Sequence, residues 1–89
     1  MQTVSITVSG KVQGVFFRQG TKEKADELNI TGSVENLPNG NVFILATGSS
    51  EQLELLISWC WQGPQRAKVR EVKVENCVIH SFPNFKIEK

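Results

Sequence analysis

The residues best suited to chemistry lie in one short stretch, Gly10-Lys11-Val12-Gln13-Gly14-Val15-Phe16-Phe17-Arg18. A glycine-containing loop ahead of a helix can aim several backbone N–H groups at one point, and the positive end of the helix reinforces them. Arg18 falls where the helix should begin, so its guanidinium can fold over the same point and hold two oxygens of an anion. The chemistry on offer is therefore capture of a phosphate or a similar group. The same residues also fit a plain surface loop with a solvated arginine, and local sequence does not separate the two. A nucleotide-hydrolysing loop is excluded, because the Gly14 to Gly20 spacing is wrong for it and Thr21-Lys22 reverses the required order.

Other reactive residues are few. Cys60, Cys77 and His80 are three soft ligands with no clear fourth and no CxxC pair, which argues against a metal site. The two cysteines can pair only if their backbones lie close, and in a reducing compartment free thiols are expected. His80 lies far along the chain from the loop and reads as a surface or core-edge residue in the last long strand.

The elements around the loop follow from periodicity. Val4, Ile6 and Val8 alternate with Ser5, Thr7 and Ser9, the pattern of a strand with one buried face, and Gly10 to Gly14 breaks it. Phe17, Thr21, Ala25 and Leu28 form the apolar side of a helix. Strands are expected over Thr31 to Leu37 and Asn41 to Thr47, with Pro38-Asn39-Gly40 as the turn between them. Ser49 and Gln52 have capping-box spacing for a second helix, with Leu53, Leu56, Ile57, Cys60 and Trp61 on its apolar stripe and Gly63-Pro64 as its stop. This places Trp61 in the core and Trp59 partly exposed or under a loop. Val69 to Ile79 reads as another strand, with Val72 and Val74 on one face, and Phe85-Lys86-Ile87 as a short edge strand. The order is strand, helix, strand, strand, helix, strand. It predicts a ferredoxin-like α/β sandwich, an antiparallel sheet with both helices packed on one face.

Eighty-nine residues suffice for one domain, expected over the whole of 1–89, and give a core that can support one well-placed site. Ten basic residues against nine acidic ones leave a net charge of +1 with no basic block, so neither a nucleic-acid nor a membrane surface is indicated. The N-terminus lacks the basic start and apolar run of a signal peptide, and no run approaches a membrane span. A cytoplasmic protein is expected. Its size and the absence of an apolar surface run favour a monomer.

Beyond these local signals, the whole chain resembles the acylphosphatase family. Gly10 to Arg18 matches the first signature of that family, and Gly32, Val34, Asn36, Gly40, Val42 and Gly48 match the second, in register. The resemblance implies hydrolysis of the carboxyl–phosphate anhydride of acyl phosphates without metal or cofactor, releasing a carboxylate and inorganic phosphate. It gives phosphate binding to Arg18 and to the loop Gln13, Gly14, Val15, Phe16 and Phe17, with the amides from Val15 onward as donors. It gives Asn36 the task of orienting the attacking water. Thr21 is placed either to support Asn36 or the loop, or simply on the buried side of its helix. Three departures stand out: Ser33 replaces an aromatic residue, Glu35 a basic or amide one, and the C-terminus lacks a tyrosine. Period two puts Ser33 and Glu35 on the face opposite Asn36, although an acidic Glu35 works against a dianionic substrate.

Such a reaction asks little of the protein. The leaving carboxylate has a conjugate acid of pKa about 4, so it departs unprotonated and needs no general acid. Holding the phosphate, neutralising its charge and placing a water in line are what remain. The rival readings are a non-catalytic anion-binding or regulatory module of the same family, an RNA-binding ferredoxin-like domain, and a metal carrier of that fold. The third strand has one aromatic and no basic residue, which speaks against RNA binding, and the carrier lacks paired cysteines. Phe16 either lines the site or seats the loop against the helix.

Overall fold

The computed structural model describes residues 1–88; Lys89, the last residue of the expected domain, lies outside the described residues. Its elements are β1 (Gln2–Lys11), α1 (Phe17–Glu27), β2 (Thr31–Asn36), β3 (Val42–Gly48), α2 (Ser50–Gln62), β4 (Lys68–Cys77) and β5 (Phe85–Ile87). The sheet order is β4-β1-β3-β2-β5. The first four strands pair antiparallel, which gives the ferredoxin-like sandwich. The tail adds a fifth strand, and it pairs parallel to β2, so the sheet is mixed rather than wholly antiparallel. A strand arriving at an open edge takes whichever direction the preceding connection delivers, and periodicity carries no trace of that.

The inward rows of the sheet explain the core. Ile6 stands opposite Ile44 on one side and Val74 on the other, and Ile44 opposite Val34. Phe17 and Ala25 of α1 and Leu53, Leu56 and Cys60 of α2 close over this layer, all buried. The next row reads Val72, Val8, Val42, Asn36 across the sheet. Asn36 therefore occupies a helix-facing position in a row otherwise filled by valines. Phe17 and Trp59 join the helices with ring centroids 5.3 Å apart. The capping box at Ser49 and Gln52 is formed in both directions, and Gly63 ends α2 in the left-handed region at φ 66°.

Several expectations need correction. Trp61 is 53% exposed, whereas Trp59 packs against the core. Leu53, Leu56 and Cys60 set the buried stripe; Trp59, three residues after Leu56, turns toward α1, while Trp61 rotates a further 100° beyond Cys60 into solvent. The fourth strand stops at Cys77, since Thr3 is its last partner on β1, and so His80 lies beyond the strand. On this edge strand Val72 is buried but Val74 is 39% exposed. The first strand buries both faces: Thr3, Ser5 and Ser9 are also inside, because neighbours flank β1 on both sides and small side chains are easily covered. Cys60 is buried and Cys77 exposed, both as free thiols.

Candidate active site

The loop leaves the sheet through an irregularity between Ser9 and Gly10, where β1 slips by one residue against β4. From there its side chains divide. Val12, Val15 and Phe17 are buried in the core, while Gly14 and Phe16 turn outward. Gly14 and Phe16 both adopt left-handed backbone, with φ of 73° and 66°. That geometry is free for glycine but costs a bulky residue roughly 1–3 kcal/mol, so the three buried anchors must impose it. The loop is thereby curled and fixed.

Phe16 also begins α1. It offers no side-chain cap, and the first backbone bond of the helix runs from the Gly20 N–H to the Phe16 carbonyl at 3.0 Å. The amides of Phe17, Arg18 and Gln19 are thus the unpaired donors of a helix N-terminus, and the helix dipole adds to them. Arg18 follows directly and is half-buried. Its Nη1 donates to the Glu88 carbonyl at 3.2 Å, just past β5, which orients the guanidinium and leaves its other N–H groups available. Among the described residues Arg18 makes no ion pair with a carboxylate.

Asn36 comes to the same place from the end of β2. Gly14, Phe16, Phe17, Arg18 and Asn36 all line one cavity of about 680 Å³. The Oδ1 of Asn36 is buried and meets no donor among the described residues. A buried carbonyl oxygen without a donor costs about 1–3 kcal/mol, so the stability of the fold does not account for an amide at this position. Val12, Gln19 and Ile87 complete the lining. They were not among the sequence candidates. Ile87 reaches the cavity through the parallel pairing of β5 with Val34, which no local signal announces.

Three sequence candidates take other positions. Gln13 does not line the cavity; its Nε2 donates to the carbonyls of Leu37 and Asn41, at 2.8 Å each, and ties the loop to the β2–β3 hairpin. Val15 is buried, with its side chain in the core. Thr21 is fully buried and its hydroxyl donates to the Phe17 carbonyl at 2.8 Å, within its own helix. Ser33 and Glu35 pair with Leu45 and Phe43 and face away from the cavity side of the sheet. His80 is remote from the loop residues: its backbone N–H donates to Thr3 Oγ1, its carbonyl accepts from Thr47, and its ring lies 4.5 Å from that of Phe82. Among the described residues no three His, Cys, Asp or Glu side chains come together to hold a metal ion.

The acylphosphatase family model matches residues 4–87. The chain belongs to the acylphosphatase family. An acylphosphatase of Marinobacter nauticus is 53% identical over 82 residues, which is 91% of this chain and 89% of that relative. The structure of an acylphosphatase from Coxiella burnetii superposes with a TM-score of 0.95 at 41% identity, covering 98% of this chain and 92% of that one. The crystal structure of acylphosphatase from Bacillus subtilis gives 0.97 at 31% identity over the full length of both chains. An acylphosphatase site has to hold a phosphate and a water together. The curled loop, Arg18 and Asn36 bring N–H donors and an amide oxygen to one cavity.

Proposed function

We propose that this cavity hydrolyses acyl phosphates, with Arg18 and the amides at the start of α1 holding the phosphate and Asn36 orienting the attacking water. The observation that carries the reading is the buried, donor-less Oδ1 of Asn36 in the cavity that Arg18 also lines. The guanidinium and the helix amides are fixed before substrate arrives, so they neutralise the charge that spreads over the phosphate oxygens without reorganising. A water hydrogen-bonded to the Asn36 amide is steered onto phosphorus as the carboxylate departs from the other side. An amide is no base, so the water's proton passes to a phosphate oxygen of the substrate. Oxygen–phosphorus bond formation and cleavage then yield a carboxylate and inorganic phosphate.

Gln13 and Thr21 act at one remove, the first by bracing the loop and the second by anchoring the first turn of α1. The partner is a small-molecule acyl phosphate, and the protein works as a single-domain monomer in the cytoplasm, without nucleic acid. Two features support this placement. Its cysteines are free, and of the two central strands β1 carries no aromatic residue, with Thr3, Ser5 and Ser9 buried, while β3 has only Phe43 as a stacking surface. Among the described residues no helix is long and apolar enough to cross a membrane. Phosphate release from benzoyl phosphate by the purified chain tests the activity; a folded chain that releases none contradicts it.

A further inference from the structure

The two edges of the sheet are finished differently. At one, β5 has only 3 residues, the kind of short strand that blunts an open edge. At the other, β4 has 10, of which Val72 alone is buried. Among the described residues no strand pairs with the outer side of β4, where every second residue turns its N–H and C=O away from β1. The ladder to β1 skips Arg70, passing from Glu71 opposite Ser9 to Val69 opposite Gly10. The unbroken part of the edge is therefore residues 71–77, with Val74 at its midpoint. Val74 faces the helix side of the sheet and is still 39% exposed. On the other side Lys73 and Glu75 stand opposite Thr7 and Ser5, which answer neither charge. Among the described residues neither makes an ion pair.

This edge is complementary to itself. A second copy laid antiparallel about a two-fold axis at Val74 sets Val74 against Val74 and Lys73 against Glu75, the latter twice. The neighbouring registers fail. Centred on Lys73, the pairing opposes Lys73 to itself and Glu71 to Glu75; centred on Glu75, it opposes that carboxylate to itself. Centred on Val72, it matches Lys73 with Glu71 but runs at once into the irregularity at Arg70. A lysine in mid-edge commonly guards against stray strands, and here it also selects one symmetric partner. Val78 and Ile79, 91% and 66% exposed, follow directly on and lie at each end of the seam. We propose that the free edge of β4 is a self-association surface, on which a second copy of this chain pairs antiparallel in the register centred on Val74. The seam is one strand edge about 23 Å long, so the pair belongs to the small, reversible class of contacts. No residue of β4 lines the active-site cavity, so each chain in the pair remains a complete catalytic unit.

The test is sedimentation equilibrium of the full chain from about 10 μM to about 1 mM, where a small contact should be half-formed. It compares the wild type, Lys73→Glu, Glu75→Lys and the double exchange Lys73→Glu/Glu75→Lys, each checked for fold by circular dichroism. The wild type should pass from monomer toward dimer across that range. Either single change sets like charges against each other at both contacts and should weaken association about tenfold or more. An equal mixture of the two single variants should associate again, because every contact is then between opposite charges. The double exchange should recover as well, which the register centred on Val72 forbids, since position 73 there meets Glu71. A wild type that stays monomeric throughout overturns the proposal. So does a dimer that both single changes leave intact, or one that neither the mixture nor the double exchange restores.

Discussion

Gln13 and Leu37 are joined across the site: the side-chain amide of Gln13 donates to the Leu37 carbonyl at 2.8 Å, one residue beyond Asn36. The same nitrogen reaches the Asn41 carbonyl, and Leu37 and Asn41 themselves are closed by a backbone bond of 2.8 Å. The loop that leads into α1 and the hairpin that follows Asn36 are thereby tied to each other. Among the described residues no other side-chain hydrogen bond spans that gap.

Gln13→Ala should therefore slacken the register between phosphate and water. A fall of about tenfold in kcat is expected, since small misplacements of reacting groups are costly. The phosphate inhibition constant should change less. A double-mutant cycle distinguishes this from a general loss of stability: in an Asn36→Ala background, removal of Gln13 should have almost no further effect on turnover. Full additivity would mean that Gln13 does not act through Asn36.

Arg18→Gln should cost roughly 3 kcal/mol or more in transition-state binding, the scale of losing a strong charge-stabilising donor. The measure is kcat/KM for benzoyl phosphate beside a circular dichroism spectrum that shows the fold retained. Near-normal turnover would remove Arg18 from the phosphate clamp.

No side-chain base is invoked, so the rate should be nearly flat across neutrality. His80, the one histidine, is engaged through its backbone with Thr3 and Thr47 and lies against Phe82, away from the loop. His80→Gln should leave the pH–rate profile as it is. A sharp inflection at about pH 6–7 that disappears in this variant would show an imidazole at work.

The two thiols should behave differently. Burial pushes the Cys60 thiol up to about 12 from its ordinary 9.0, whereas Cys77 is exposed. In the native protein at pH 8, Cys77 should react with an aromatic disulfide reagent at once, and Cys60 only after unfolding. Below the unfolded thiol's range both states hold the proton; as pH rises through 9.0 toward about 12 the unfolded chain releases it first, and stability falls. Cys60→Ala should lose less stability over that interval, as read from denaturant midpoints at several pH values. Equal alkaline loss in both proteins would assign it to other groups.

Much of this arrangement is legible in the sequence because it is local. The capping box at Ser49, the helical stripe from Phe17 to Ala25 and the alternation of Val4, Ile6 and Val8 each depend on near neighbours. The loop and Arg18 are readable for the same reason, as a strand end, a glycine and a helix start. What depends on pairing is not. The register that sets Asn36 in a row with Val72, Val8 and Val42 follows from three strand pairings, as does the reach of Ile87 into the cavity through β5. Asn36 itself came into view through resemblance to a family rather than through its spacing. The brace formed by Gln13 is similarly silent in sequence, since a glutamine in a glycine loop points as readily to a ligand as to a carbonyl 24 residues away. Trp61 shows the limit of helical periodicity, where one step of rotation separates a core residue from a solvated one.

The central claim is that Asn36 holds the water while Arg18 and the loop hold the phosphate. The most direct test is hydrolysis of benzoyl phosphate in EDTA by the wild type and by Asn36→Ala, with the inhibition constant of inorganic phosphate measured on both. Turnover by the wild type should not be slowed by EDTA. In the variant it should fall about a hundredfold or more, the scale of removing one preorganised hydrogen-bonding group, with phosphate still bound. Undiminished turnover by the variant, or a phosphate affinity that falls together with its activity, would contradict it.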